Sequence, residues 1–229
     1  MLISLRPRLR QVADFVPSGA RVADIGSDHA YLAAYLLLHD RAAKVIAGEI
    51  NLAPAQRARQ TALNFGLQDR LQVRLGAGLT ILQPGEVDTV VVAGLGGNTI
   101  IEVLESNPPV LPTIKRLILQ PNIGAAAVRF WLCEHGWAIV EEALVKDNDI
   151  FYEIVVGEPG ETQALNWLQA TLGPRLLERK PAFFYEWVQL AIAQRRRVAE
   201  QLLQATDAAA ASKRAKLVQE ISELQEVIK

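Results

Sequence analysis

Between Arg21 and about Val156 the chain alternates short apolar, β-branched runs with helix-length segments, and this alternation limits the folds open to it more than any other feature. The runs are Arg21–Ile25, Lys44–Glu49, Leu71–Leu75, Val87–Ala93 and Arg116–Pro121. The clearest is Asp88-Thr-Val-Val-Val-Ala93, which has almost no polar interruption. Runs of that kind suit strands covered on both faces, and so a parallel sheet. Helical patterns at His29–His39, Ala53–Phe65, Asn98–Glu105 and Ala125–Glu134 lie between or after them. The expectation is a doubly wound α/β domain with right-handed crossovers. Two further runs, Trp137–Val145 and Ile150–Val156, flank the turn-forming Lys146-Asp-Asn-Asp149 and predict an antiparallel hairpin.

After Gly157-Glu-Pro-Gly160 the strand pattern stops. A boundary is expected there, with the α/β domain at 1–160 and a helical part at 161–229. Pro174 and Pro181 divide the early part into short helices. Leu217, Ile221, Leu224 and Ile228 form a heptad-like seam; Val188, Ile192, Ala199 and Leu202 form another, interrupted by Arg195. Two helices folding back near Asp207–Ser212 would pair as a short coiled coil; one long helix is the rival, since four consecutive alanines favour helix.

Composition excludes several classes. Half the 229 residues are hydrophobic and 21% are charged, a globular balance that leaves room for a core without covalent staples. Cys133 is the single cysteine, which rules out a disulfide framework and a cysteine-based zinc site, and no metal is expected. No apolar run approaches the length of a membrane span, and the start does not read as a secretory signal. A cytoplasmic protein without a membrane partner is expected. Net charge is −1, yet residues 165–229 hold ten Lys/Arg against seven Asp/Glu. Arg6, Arg8 and Arg10 at one end, and Arg195, Arg196 and Arg197 near the other, are candidate contacts for a nucleic-acid backbone.

The chemistry concentrates at strand ends. In Val22-Ala-Asp-Ile-Gly-Ser-Asp-His-Ala-Tyr-Leu32 a strand closes at Asp24, Gly26 allows a tight turn, and a helix is expected from His29. This is where open α/β sheets bind ligands. A dinucleotide fingerprint would need three glycines for a pyrophosphate. Here one glycine stands between Asp24 and Asp28, an arrangement suited to a positively charged ligand such as S-adenosylmethionine, with its ammonium and sulfonium. Glu49 ends the second strand, where a carboxylate can accept from ribose hydroxyls. Gly76-Ala-Gly78 follows the third strand as a wall for an adenine. Ala93-Gly-Leu-Gly-Gly97 follows the fourth at the lip of the site, and Gln120-Pro-Asn122 ends the fifth with amides able to meet a base edge.

These strings, with Ala47-Gly-Glu49, Gly78-Leu79, Leu117-Ile-Leu-Gln-Pro-Asn122, Arg129-x-Trp-Leu132 and Tyr152-Glu-Ile154, occur in one order over nearly the whole chain. Together they resemble the bacterial tRNA (adenine-22-N1)-methyltransferase family. The resemblance implies a class I, Rossmann-like methyltransferase fold of five parallel strands plus a hairpin, with a helical coiled-coil-like tail that contacts tRNA. It implies methyl transfer from S-adenosylmethionine to N1 of an adenosine in the D-arm region of tRNA. It implies cofactor contacts from Asp24, Gly26, Ser27, Glu49 and Ile50, and from Gly76, Ala77, Gly78, Ala93, Gly94 and Leu95. Asp28, His29, Gly94 and Asn122 would be catalytic. Two departures stand out: Ala77 replaces the family's usual Asp, and Leu95 its usual Met. His39, His135 and Cys133 need no role in this reading.

Two rivals share some of these residues. A methyltransferase of small molecules or proteins would keep the cofactor contacts without needing a basic extension. A non-catalytic tRNA- or adenosyl-binding module would explain Ala77. A monomer is expected, with the tail as the surface through which it could dimerise.

Overall fold

The computed structural model describes residues 3–204 and 208–229. Seven strands form one sheet: β1 Ala20–Ile25, β2 Ala42–Glu49, β3 Leu71–Leu75, β4 Thr89–Gly96, β5 Arg116–Ile123, β6 Trp137–Asp147 and β7 Ile150–Pro159. Their spatial order is β3-β2-β1-β4-β5-β7-β6. The first five are parallel, and the β6–β7 hairpin joins through β7, antiparallel to β5. The sequence order reverses between β1 and β4, so both strand ends open onto one crevice. Valines 90–92 and Leu117, Ile118 and Leu119 have essentially no exposure, as strands covered on both faces require.

One face of the sheet packs against α1 Pro7–Asp14, α2 Tyr31–Leu38 and α3 Leu52–Asn64, the other against α4 Gly97–Glu105 and α5 Ala125–Glu134. The sequence pattern did not anticipate α1, although Pro7 stands at its first turn, where a missing N–H costs nothing. Helix α2 begins at Tyr31 and not at His29. Asp28 and Ala30 both hold positive φ (50° and 53°), a backbone no α-helix can include. Strand β4 runs past Ala93 to Gly96, pairing irregularly with β5 at Leu95–Pro121 and Gly96–Ile123. The glycine-rich segment is therefore a bulged strand end and not a plain turn. Any side chain at Gly97 would overlap the Gly124 carbonyl, so this glycine lets α4 start against the β5–α5 turn.

Beyond the hairpin lie α6 Trp167–Leu172, α7 Pro174–Arg179, α8 Phe184–Gln201 and α9 Ala208–Val227. Asn166 and Gln169 form a capping box at the start of α6. Helices α8 and α9 pair antiparallel: Val188 and Ile192 share a core with Ile221 and Leu224, and Lys180 donates to the Val227 carbonyl. Arg195, the interruption in the α8 seam, meets Glu220 at 2.9 Å. Of the stretch where a fold-back was expected, Ala208–Ser212 are part of α9, and Asp207 lies outside the described residues.

The tail is sewn to the sheet by a buried charge cluster. Arg129 on α5 has no exposure. It donates to Glu142 of β6 at 2.7 Å, to Glu153 of β7 at 2.6 Å and to the Ala170 carbonyl of α6 at 3.0 Å. The Arg175 amide of α7 donates to the other Glu142 oxygen at 2.8 Å. Leu144 and Phe151 of the hairpin pack into the same apolar cluster as Leu172, Phe184 and Val188. Helices α6 and α7 thus bridge the hairpin and the α8–α9 pair.

Breaking this cluster from one side strands a buried carboxylate. Arg129→Met is expected to destabilise the protein by about 3–5 kcal/mol in urea unfolding, the cost of an unpaired buried charge. A change below 1 kcal/mol would show that the cluster is hydrated or dispensable.

Candidate active site

The carboxyl ends of β1, β2 and β4 line two adjoining cavities of about 390 and 370 Å³. Gly26, Asp28 and Leu95 line both, so the two form one elongated cleft of the size small ligands occupy. The first chamber is walled by Asp24, Ser27, His29, Ala93 and Gly94, with Arg8 and Leu9 reaching in from α1. The second is walled by Glu49, Ile50, Gly76, Gly78 and, from α4, Thr99 and Val103.

Asp24 is 4% exposed, and its Oδ2 finds no hydrogen-bond partner among the described residues. Burial, and secondly the nearby Glu49, push its carboxyl up to about 7. Glu49 is buried as well, held by the Ser27 hydroxyl at 3.0 Å and by the Asp28 amide, both on Oε1. The left-handed turn at Asp28 aims that amide at Glu49 and leaves the Asp28 side chain exposed, where Arg57 binds it at 2.8 Å. His29 Nε2 lies 3.7 Å from Asp28, and its ring stacks on Tyr31. Two acids at strand ends, one with an orphaned oxygen, make a cleft that accepts a cation and a hydroxyl-rich group.

Most residues singled out from the sequence converge here. Ala77 is exposed between Gly76 and Gly78 and does not line the cleft. Asn122 is exposed and donates to the Gly94 carbonyl at 2.8 Å, which puts it at the rim. Gln120 is wholly buried, so its amide does not reach a base edge directly, contrary to expectation. The arginines separate. Arg6 and Arg10 are exposed, whereas Arg8 is half-buried in the cleft wall, so the three do not form one strip. Arg196 and Arg197 are exposed; Arg195 is held by Glu220 and lies over the Trp167 ring. Arg8, Leu9, Thr99 and Val103 were not anticipated as cleft residues. Only the apolar spacing on α4 hinted at an inward face, and that spacing equally describes core.

The sheet order and cleft agree with comparisons to known proteins. A family model described as a methyltransferase domain matches residues 5–155, and the chain is a methyltransferase by fold and by family. A Bacillus subtilis protein named tRNA (adenine(22)-N(1))-methyltransferase is 38% identical over 211 residues, covering 90% of this chain and 88% of the relative. This chain belongs to that family. The crystal structure of the B. subtilis tRNA methyltransferase TrmK superposes with a TM-score of 0.92 at 34% identity, covering all of both chains. A Streptococcus pneumoniae protein described as a putative tRNA methyltransferase, solved with S-adenosyl-L-methionine, superposes with a TM-score of 0.86 at 35% identity, again covering both chains fully.

A carboxyl whose folded pKa is raised binds its proton more tightly in the folded state. Its ionisation therefore removes stability as pH rises from the unfolded value near 4 through about 7. In the ligand-free protein, Asp24→Asn is expected to remove this loss and to be more stable than wild type at pH 8, by at least about 1 kcal/mol. Equal stability of the two proteins at pH 8 would place a compensating cation beside Asp24.

Proposed function

We propose that the cleft binds S-adenosylmethionine and that the protein methylates N1 of adenosine 22 in the D-arm region of tRNA. The observation that carries this is the unpartnered, buried Asp24 oxygen beside a fixed Glu49 at two adjacent strand ends. An ammonium beside Asp24 would satisfy the orphan, and ribose hydroxyls would complete Glu49. The apolar second chamber, with Ile50, Leu95 and Val103, suits a flat adenine with no carboxylate at position 77. The family relationship to a named tRNA (adenine(22)-N(1))-methyltransferase supports the RNA substrate.

The cofactor supplies an electrophilic methyl group on a positively charged sulfur. Adenine N1 already carries a lone pair, so no residue has to create the nucleophile. The work left to the chain is alignment and exclusion of water. Asp28 stands where the two chambers meet, with His29 next to it in the first chamber, and Gly94, at φ +83°, lets a flat base approach the β4 end closely. A base must leave its stack to enter such a cleft. We assign positioning of the RNA backbone to exposed Arg6, Arg196 and Arg197, and the helical part from 161 onward to holding tRNA. A monomer fits this use, because the α8–α9 seam is filled within one chain.

Incubation with unmodified tRNA and methyl-labelled cofactor, followed by nucleoside mass spectrometry, is expected to give 1-methyladenosine at one position. Label on another base, or on small molecules alone, would overturn the reading. Glu49→Ala is expected to weaken cofactor binding by about 1–3 kcal/mol in calorimetry, the scale of lost charge-assisted hydrogen bonds. Unchanged affinity in the folded variant would remove Glu49 from the site.

A further inference from the structure

A chain of hydrogen bonds joins Arg8 to the rim of the cleft. The Arg8 guanidinium donates to the side-chain carbonyl of buried Gln120. Gln120 Nε2 donates to Asn122 Oδ1 at 3.3 Å, and Asn122 Nδ2 donates to the Gly94 carbonyl at 2.8 Å. Arg8 has no carboxylate in ion-pair contact among the described residues. Its guanidinium lies over the Tyr152 ring at 5.3 Å and would be in van der Waals contact with a side chain at position 94. An arginine can only donate. It therefore fixes the sense of every amide after it: Gln120 must turn its carbonyl to Arg8 and its N–H₂ to Asn122, and Asn122 must turn its N–H₂ to Gly94.

We propose that Arg8 is a positioning residue that, through Gln120, holds Asn122 with an N–H beside the Gly94 carbonyl, building a donor–acceptor pair that reads the N7 and N6–H edge of the target adenine. The proposal rests on the RNA-methylating function above and adds how the base is chosen. Each partner has capacity left. Asn122 keeps a second N–H, and the Gly94 carbonyl a second lone pair. Adenine presents an N7 acceptor beside an N6–H donor, the pattern that a side-by-side donor and acceptor complement. Guanine presents two acceptors there, and its O6 would face the Gly94 carbonyl. Reading adenine from this edge leaves N1, on the neighbouring Watson–Crick edge, free of hydrogen bonds for methylation.

The test uses full-length protein and tRNA carrying adenosine or 7-deazaadenosine at the methylated position. Gln120→Glu keeps the shape and the bond to Arg8 but offers Asn122 an acceptor where it had a donor. Arg8→Met removes the donor, and Arg8→Lys retains one. In wild type and Arg8→Lys, 7-deazaadenosine is expected to lower kcat/KM at least tenfold. In Gln120→Glu and Arg8→Met, kcat/KM on adenosine falls tenfold or more, while the further 7-deaza penalty shrinks below threefold. Calorimetric affinity for S-adenosylmethionine stays within threefold throughout. A 7-deaza penalty of equal size in wild type and variants, or none in wild type, overturns the relay. A tenfold loss of cofactor affinity in Arg8→Met also overturns it and assigns Arg8 to the cofactor's carboxylate. Wild-type protein that methylates no adenosine in tRNA would instead refute the function on which the relay depends.

Discussion

The site depends on a carboxylate kept without a cation. Asp24 lies at the carboxyl end of the first strand, is nearly inaccessible, and has an oxygen that nothing among the described residues satisfies. Burying such a group is costly unless a partner arrives. The surrounding structure maintains the condition. Glu49 sits on the neighbouring strand end, and the left-handed turn at Asp28 turns its amide to Glu49 and its side chain away to Arg57. Glu49 is thus held by neutral donors, and no cation is paired with it or with Asp24 among the described residues. A ligand that brings a positive charge completes the folded state, which links binding to stability.

The same fold solves the opposite problem elsewhere. At the hairpin, Glu142 and Glu153 are provided with Arg129 from within the chain, and the cluster's remaining bonds go to α6 and α7. That charge set is closed and structural. It anchors the helical tail to the sheet edge, and α8 and α9 extend from the anchor. The contrast separates a carboxylate left open to the cleft from carboxylates paired within the chain.

Much of this was legible in the sequence, for physical reasons. Buried parallel strands announce themselves as β-branched runs, so β1 to β5 could be located, and the acids at Asp24 and Glu49 fell at strand ends where ligands bind. What the sequence hid was tertiary. Arg129 and Glu153 stood out as parts of motifs, but their pairing across 24 residues follows only from how α5 packs on the hairpin. Arg8 resembled its exposed neighbours Arg6 and Arg10; only the placement of α1 over the cleft distinguishes it. The late start of α2 came from positive φ at Asp28 and at Ala30, and alanine gives no sequence warning of that. Gln120 and Asn122 looked equivalent and, two residues apart, share one face of β5; Gln120 is buried in the covered part of the strand and bonded to Arg8, whereas Asn122 lies at its exposed end.

The most direct test of the account is the pH dependence of cofactor affinity. Calorimetric titration with S-adenosylmethionine between pH 6 and pH 7.5 keeps the ligand's ammonium largely protonated. With Asp24 pushed up to about 7, the ionised fraction and with it the affinity should rise severalfold over that range. Asp24→Asn should bind more weakly at pH 7.5, with affinity nearly independent of pH. A wild-type affinity that stays flat or falls across this range would contradict the claim that a buried, unpartnered acid receives the cofactor's charge.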